Sequence, residues 1–209
     1  MISCKDFWNK RSLIYDADVG PQYQKAYDDT VTEVLRYLKP EDRVLDFACG
    51  TGLVCIPVAP HVAQVRAIDI AENMVRQTRE KCEKQNISNI EVSQTELFDP
   101  CLEEGSFDAI IACNILCYLD NWDEAMARLR SLLKPGGYLL SATDCLGEKL
   151  TPIGLKKFWR VHTGKMPFEF FFRMKGLEKK IADAGFIVEE SKNLFPAPPN
   201  LFVAARRGD

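Results

Sequence analysis

Residues 44–52 read Val-Leu-Asp-Phe-Ala-Cys-Gly-Thr-Gly, and this stretch decides the fold. A short apolar run gives way to an acid, small residues and two glycines, which is typical of a buried strand that breaks into a tight turn. The next apolar run, residues 65–68, is followed by the acid Asp69. Open α/β sheets bind ligands at such strand ends, and glycine lets a ligand approach the backbone closely. The two segments therefore predict a nucleoside pocket.

The composition predicts one domain with a full core and argues against a nucleic-acid partner. The chain has 209 residues, of which 46% are hydrophobic, and a formal net charge of −3. Domains typically hold roughly 100–200 residues, and surfaces that bind nucleic acids are basic. We therefore expect a single domain over residues 1–209.

The eight cysteines form no CxxC pair and are accompanied by only two histidines, which argues against a zinc site or any other metal site. Most of them lie within apolar runs, as expected of buried thiols in a reducing compartment. The N-terminus has no apolar signal core, and no apolar run approaches the ~20 residues of a membrane span. These features predict a cytoplasmic protein without a membrane partner.

From residue 43 onward, strand-like runs alternate with helical patterns, which indicates βαβ units and a mainly parallel sheet covered by helices on both faces. The predicted strands are 43–48, 65–69, 89–93, 107–113, 137–143, 186–191 and 200–206. The predicted helices among them are 51–59, 72–85, 121–134 and 174–184. Only a short proline-rich segment, 193–200, joins the last two strands, so we expect an antiparallel final pair in a doubly wound, seven-stranded α/β fold.

Two segments lie outside this alternation. Residues 1–39 carry apolar side chains at helical spacing and are predicted to form an N-terminal helical cap. Residues 145–173 interrupt the pattern with Phe158, Trp159 and further phenylalanines, which is too aromatic for a solvated linker. We expect an inserted aromatic cap over the sheet edge; a helix that merely covers the core is the alternative.

Four segments resemble motifs of the class I S-adenosylmethionine-dependent methyltransferases, and the match extends over roughly residues 40–144. The segments are residues 46–52, 67–70, 94–97 and 106–119, followed by the turn into the fifth strand at 133–139. A Rossmann dehydrogenase is the alternative, but its G-x-G-x-x-G pattern lacks a third glycine here, because Leu53, Val54 and Cys55 follow Gly52. The resemblance implies a Rossmann-like methyltransferase fold and S-adenosylmethionine as cofactor.

The resemblance also implies roles for particular residues at the first two motifs. The turn that contains Ala48, Gly50 and Gly52 is expected to pass beneath the amino-acid part of the cofactor. Asp46 is expected to organise the ammonium group of the cofactor, and Asp69 to bind the two ribose hydroxyls.

The remaining motifs supply the expected contacts to the rest of the cofactor. By the same resemblance, Ile70 and Met74 lie against the adenine ring. Glu96 accepts from the adenine amino group, and the backbone of Leu97 faces a ring nitrogen. Asn114 is expected beside the sulfonium.

Candidate groups for the methyl acceptor are few. His162 lies in the aromatic segment and suits proton transfer near neutral pH, although a surface position is the alternative for it. Tyr118 is a second candidate catalytic residue, since it follows the fourth strand. Further acceptor-side or cofactor contacts are considered at Arg11, Tyr15, Asp144 and Cys145.

Three functions are compatible with the sequence. The first is methyl transfer by in-line displacement to a small-molecule acceptor, which the apolar segment at 145–173 and the acidic balance favour. The second is methylation of tRNA or protein, suggested by basic residues in the C-terminal third. The third is a module that binds S-adenosylmethionine without catalysis.

Overall fold

The computed structural model describes residues 2–208, and within them the chain forms one seven-stranded sheet of order β3-β2-β1-β4-β5-β7-β6. The strands are β1 (Arg43–Phe47), β2 (Gln64–Asp69), β3 (Ile90–Gln94), β4 (Phe107–Cys113), β5 (Leu133–Asp144), β6 (Phe186–Pro196) and β7 (Pro199–Arg207). The helices are α1 (Cys4–Arg11), α2 (Tyr15–Leu35), α3 (Cys55–Val58), α4 (Glu72–Lys84), α5 (Trp122–Leu132), α6 (Pro152–His162) and α7 (Met174–Asp183).

The strand order reverses at β1, which pairs in parallel with β2 on one side and with β4 on the other. The connection after β1 runs to one side of the sheet and the connection after β4 runs to the other. A crevice therefore opens between the carboxyl ends of β1 and β4. β7 runs antiparallel to both β5 and β6. The predicted doubly wound fold and its antiparallel final pair are thus confirmed.

Both faces of the sheet are buried, as a parallel sheet requires. Along β1, Leu45 packs into a cluster with Met126 of α5 and Ile181 of α7. The neighbouring residue Val44 points to the opposite face and joins a cluster with side chains of α2, α3 and α4. The sheet therefore carries helices on both sides and holds its strand ends rigidly.

Three boundaries differ from the sequence-based expectation. The helix predicted at 51–59 is only the four-residue α3, which passes directly into a 3₁₀ turn over Ala59–His61, because Pro60 has no backbone N–H with which to continue the helical hydrogen bonding. β5 begins already at Leu133, immediately after α5. β6 and β7 extend toward each other until only Ala197 and Pro198 separate them.

The N-terminal helices are tied to α4 and to the loop after β1. The backbone N–H of Asn73 donates to the Asn9 side chain at 2.9 Å, and the Gln77 side chain donates to the Ser12 carbonyl at 2.9 Å. These contacts fix α1 across the carboxyl ends of the strands.

Candidate functional site

A cavity of about 400 Å³ lies at the carboxyl ends of β1, β2, β4 and β5, which is within the usual size range of small-molecule pockets. Residues from α1, α2 and α6 cover it on the outside. Residues from the strand-end loops form its floor. The lining includes ten of the residues singled out in the sequence: Arg11, Tyr15, Ala48, Gly50, Asp69, Ile70, Met74, Asn114, Tyr118 and Asp144.

The loop after β1 presents bare backbone to this cavity. Gly50 has a φ of +55°, and a β carbon added there would meet nothing within 4 Å. Gly52 has a different role, because its β carbon would lie 2.7 Å from Ile56 Cδ1. Gly52 therefore allows the loop to pack on α3, and it does not line the cavity. Ala48 lines the floor with a φ of +62°.

Asp69 fixes this loop from the end of β2. Its Oδ2 accepts the Gly50 N–H at 3.0 Å, and its Oδ1 accepts the Ala71 N–H at 2.8 Å. The side chain is buried at the cavity wall, and this burial raises the pKa of its carboxyl. The backbone N–H of Ile70 is a further donor to this carboxylate.

Asp46 lies behind the loop and not at the cavity surface. It is 2% exposed, and its Oδ2 has no hydrogen-bond partner among the described residues. Burial raises the pKa of this carboxyl to about 7. Asp46, which is predicted to organise the ammonium group of the cofactor, is therefore a poorly solvated acid in the protein interior.

Asp46→Asn is expected to stabilise the chain at neutral and alkaline pH. The folded pKa is about 7 and the ordinary value is 3.8, so the folded chain holds a proton that the unfolded chain releases. Wild-type stability consequently falls as pH rises between these values. Asparagine does not titrate, so the stability advantage of the variant should grow by up to about 1.4 kcal/mol per pH unit in that window. Urea unfolding from about pH 5 to about pH 8 measures this difference, and an advantage that stays constant with pH would contradict it.

The two residues predicted to contact adenine through the third motif do not line the cavity. Glu96 is exposed, and Leu97 is buried in the core cluster beneath α5. The Leu97 carbonyl accepts from Arg128 Nε of α5 at 3.3 Å. On the same side of the site, Ile70 and Met74 do line the cavity.

A polar network closes the floor where β4, β5 and β7 meet. Asn114 has a φ of +52°, and its Oδ1 accepts from the Asp144 N–H and from Asn200 Nδ2, each at 3.2 Å. Asn200 Nδ2 also lies 2.9 Å from Asp144 Oδ1. Sequence reasoning missed Asn200, although one signal was present: the first residues of an antiparallel strand lie at the same sheet edge as the last residues of its parallel neighbours.

Tyrosines and one buried ion pair form the wall between α1, α2 and α6. Tyr118 donates to Glu169 Oε1 at 3.2 Å, and Lys157 Nζ lies 2.8 Å from the same oxygen. Tyr15 and Tyr27 share a hydrogen bond of 2.8 Å. Burial raises the pKa of all three phenols, so each keeps its proton at neutral pH.

His162 lies outside the cavity, contrary to the expectation that it faces an acceptor. It is exposed at the end of α6, and its Nδ1 contacts the Phe158 carbonyl at 2.9 Å. At 100° per residue, His162 is on the side of the helix opposite Ile153, which does line the cavity. His162 therefore has the surface position that the sequence analysis gave as the alternative.

Within residues 2–208, no three His, Cys, Asp or Glu side chains converge as a metal site. In the same range no helix has both the length and the apolar character needed to cross a bilayer. All eight cysteines are free thiols, and five of them are buried.

Comparisons with known proteins agree with this geometry. Residues 44–137 match the family model described as a methyltransferase domain. An uncharacterized methyltransferase of Schizosaccharomyces pombe is 30% identical over 150 residues, covering 66% of this chain and 53% of that protein. The malonyl-[acyl-carrier protein] O-methyltransferase of Halalkalibacterium halodurans is 32% identical over 148 residues, covering 65% of this chain and 52% of the relative.

A solved structure extends the likeness to the whole fold. The phosphoethanolamine N-methyltransferase 2 of Haemonchus contortus, in complex with phosphomonomethylethanolamine and S-adenosylhomocysteine, superposes with a TM-score of 0.80 at 17% identity. That match covers 100% of this chain and 61% of the other. The chain thus spans about half the length of these two curated relatives. With the motifs, the strand order and these matches together, the chain is a member of the class I S-adenosylmethionine-dependent methyltransferases.

Proposed function

We propose that this protein transfers the methyl group of S-adenosylmethionine to a small-molecule acceptor held in the covered cavity. The proposal is supported by one observation: a single continuous cavity contains both the expected cofactor site and a set of aromatic side chains. The same cavity is lined by Gly50 and Asp69 at the strand ends and by the aromatic side chains of Trp8, Tyr15 and Tyr118. A cofactor and a small acceptor would therefore meet inside a single enclosure.

The described residues fit the nucleoside part of the cofactor. The Asp69 carboxylate lies at the cavity wall, and a carboxylate at this position suits the hydroxyls of a ribose. The open space above Gly50 suits a ligand that lies directly on the backbone. Ile70 and Met74 provide an apolar wall on the same side for a planar ring. These features support the placement of the cofactor at β1 and β2.

On the acceptor side, the protein's task is alignment and exclusion of water. When bound, S-adenosylmethionine supplies a methyl group on a sulfonium that is already a good leaving group. Holding the acceptor in line with that group can lower the barrier by roughly 7–11 kcal/mol. Tyr118 has a raised pKa and donates its single O–H to Glu169, so we assign it a positioning role as a neutral side chain and not the role of a base.

The basic residues of the C-terminal third give little support to a tRNA or protein acceptor. Lys157 is paired with Glu169 at the cavity, and Lys179 is paired with Asp183 at 2.6 Å. Lys180 lies over the Trp122 ring at 5.0 Å. These side chains serve separate local contacts, whereas a phosphate backbone requires a continuous basic stripe.

The proposal predicts that label from methyl-labelled S-adenosylmethionine enters a pool of small metabolites, with formation of S-adenosylhomocysteine. Trp8→Ala should lower this turnover about tenfold or more, because it removes a wall of the enclosure. Trp159→Ala is the matched control, since Trp159 is 58% exposed and does not line the cavity. Label in total tRNA with a steep salt dependence would favour the macromolecular alternative instead. Binding without any S-adenosylhomocysteine formed would favour the non-catalytic module.

A further inference from the structure

The inner face of α6 is basic where it borders the cavity. Ile153, Lys156, Lys157 and Arg160 all line the space, and their spacing of three to four residues places them on one side of the helix. The cavity thus has one strongly cationic wall opposite the strand ends. Three of these four side chains carry a positive charge, and their partners differ.

Lys157 already has a structural partner. Its ammonium group pairs with Glu169, whose side chain is fully buried and also accepts from Tyr118. Burial alone would lower the pKa of Lys157, but the nearby carboxylates of Glu169 and Asp144 outweigh it, and the net direction is upward. This ion pair accounts for the charge of Lys157 within the protein.

Arg160 and Lys156 have no such partner. Among residues 2–208, no carboxylate lies within ion-pair distance of either side chain. The Arg160 guanidinium instead lies 6.0 Å from the Phe7 ring centroid, so α1 shields one side of it from solvent. A guanidinium in this position has its forked donors free, and that geometry matches carboxylate and phosphate groups.

The other cation in the lining is accounted for. Arg11 of α1 pairs with Asp18 of α2, and both line the cavity. Asp69 and Asp144 are bonded to the backbone or to Asn200 at the strand ends. The unpaired positive charge of the cavity is therefore concentrated at Arg160 and Lys156.

We propose that the methyl acceptor carries an anionic group, a carboxylate or a phosphate, which Arg160 and Lys156 bind. This inference rests on the proposed function, since it concerns the acceptor of that same site. The aromatic side chains of Phe7, Trp8 and Tyr118 border the same enclosure and accommodate an apolar body. The acceptor class is thus a small amphipathic anion.

The test uses the full chain saturated with S-adenosylhomocysteine, so that the carboxylate of the cofactor product is already in place. Phenylacetate, phenyl phosphate and the neutral phenylacetamide are then titrated by calorimetry. We expect at least one anion to bind about tenfold or more tightly than the amide. The comparison of the two anions distinguishes a carboxylate site from a phosphate site.

Variants of Arg160 and Lys156 test whether these two side chains form the anion-binding site. Arg160→Gln and Lys156→Gln should each weaken binding of the preferred anion about tenfold and leave affinity for S-adenosylhomocysteine within about twofold. Lys165→Gln is the matched control, because it removes the same charge from a side chain that lies over Trp159, 4.7 Å from its ring centroid, outside the cavity.

Three results would overturn the inference. If the anions and the amide bound with equal affinity, the cavity would have no anion-binding subsite. A loss of S-adenosylhomocysteine affinity in Arg160→Gln, with anion binding unchanged, would assign Arg160 to the cofactor's own carboxylate and leave the proposed function intact. No binding of S-adenosylhomocysteine to the wild-type chain would overturn the proposed function and the inference with it.

Discussion

Replacing Gly50 by valine is expected to weaken S-adenosylmethionine binding about a hundredfold or more while the chain still folds. Both backbone groups of Gly50 are held: its N–H donates to Asp69 at 3.0 Å, and its carbonyl accepts from Thr78 Oγ1 at 2.8 Å. The loop is therefore not free to rotate away from an added side chain. The β carbon and its two methyl groups would project into open space that the ligand is proposed to occupy.

Gly105→Val provides the control for backbone strain. Gly105 has a φ of +61°, close to that of Gly50, and a β carbon there also meets nothing within 4 Å. It lies in the turn before β4, at the opposite end of the strands from the cavity. Both variants should lose about 1–3 kcal/mol of stability from the left-handed backbone, but only Gly50→Val should lose calorimetric binding. Normal binding by Gly50→Val would show that the ligand does not lie on this loop.

Gly50 also illustrates what the sequence predicts well. The apolar runs, the acids that end them and the glycine turn are local features, and each follows from the geometry of a βα unit. The fold and the lining of the cavity by Gly50, Asp69 and Ile70 agree with that local pattern. Right-handed parallel connections place helices on both faces of the sheet, so the doubly wound architecture follows from the same information, whereas the order of the strands comes from the structure.

The predicted residues that do not line the cavity depend on packing that no local pattern reports. Glu96 and Leu97 follow β3 at the expected spacing, but Glu96 is exposed, Leu97 is buried in the core, and Arg128 of α5 donates to the Leu97 carbonyl. His162 lies on the exposed side of α6, whereas Lys157 on the inner side of the same helix pairs with Glu169. In both cases these contacts join different elements of the fold, and the local sequence pattern contains no record of them.

The acceptor side of the cavity is assembled from the most distant parts of the chain. Asn200 comes from the last strand, Tyr27 from α2 and Lys157 from α6, and Asn200 reaches the cavity because the antiparallel β7 pairs with β5 and begins beside Asp144. The cofactor side, by contrast, comes from consecutive βα units. This difference explains why the sequence identifies the cofactor more readily than the acceptor.

Asp69→Ala is expected to weaken binding of S-adenosylhomocysteine about a hundredfold or more. A hydrogen bond to a charged acceptor contributes about 1.5–3 kcal/mol, and the proposed contact has two. The variant also releases the Gly50 N–H, so the loop loses the partner that positions it. Because burial raises the pKa of Asp69, wild-type affinity should fall as acidification protonates the carboxyl, and the variant should lose this pH dependence.

A ligand change separates the ribose contact from the effect on the loop. An S-adenosylhomocysteine analogue without the two ribose hydroxyls should bind the wild-type chain much more weakly than the parent, whereas Asp69→Ala should bind both almost equally. Asp108→Ala is the control for loss of a structural carboxylate, because Asp108 accepts the Arg43 N–H at 2.9 Å and pairs with Lys134 at the far edge of the strands. If Asp69→Ala still discriminates the two ligands as the wild type does, then Asp69 holds the loop alone and the hydroxyls bind elsewhere.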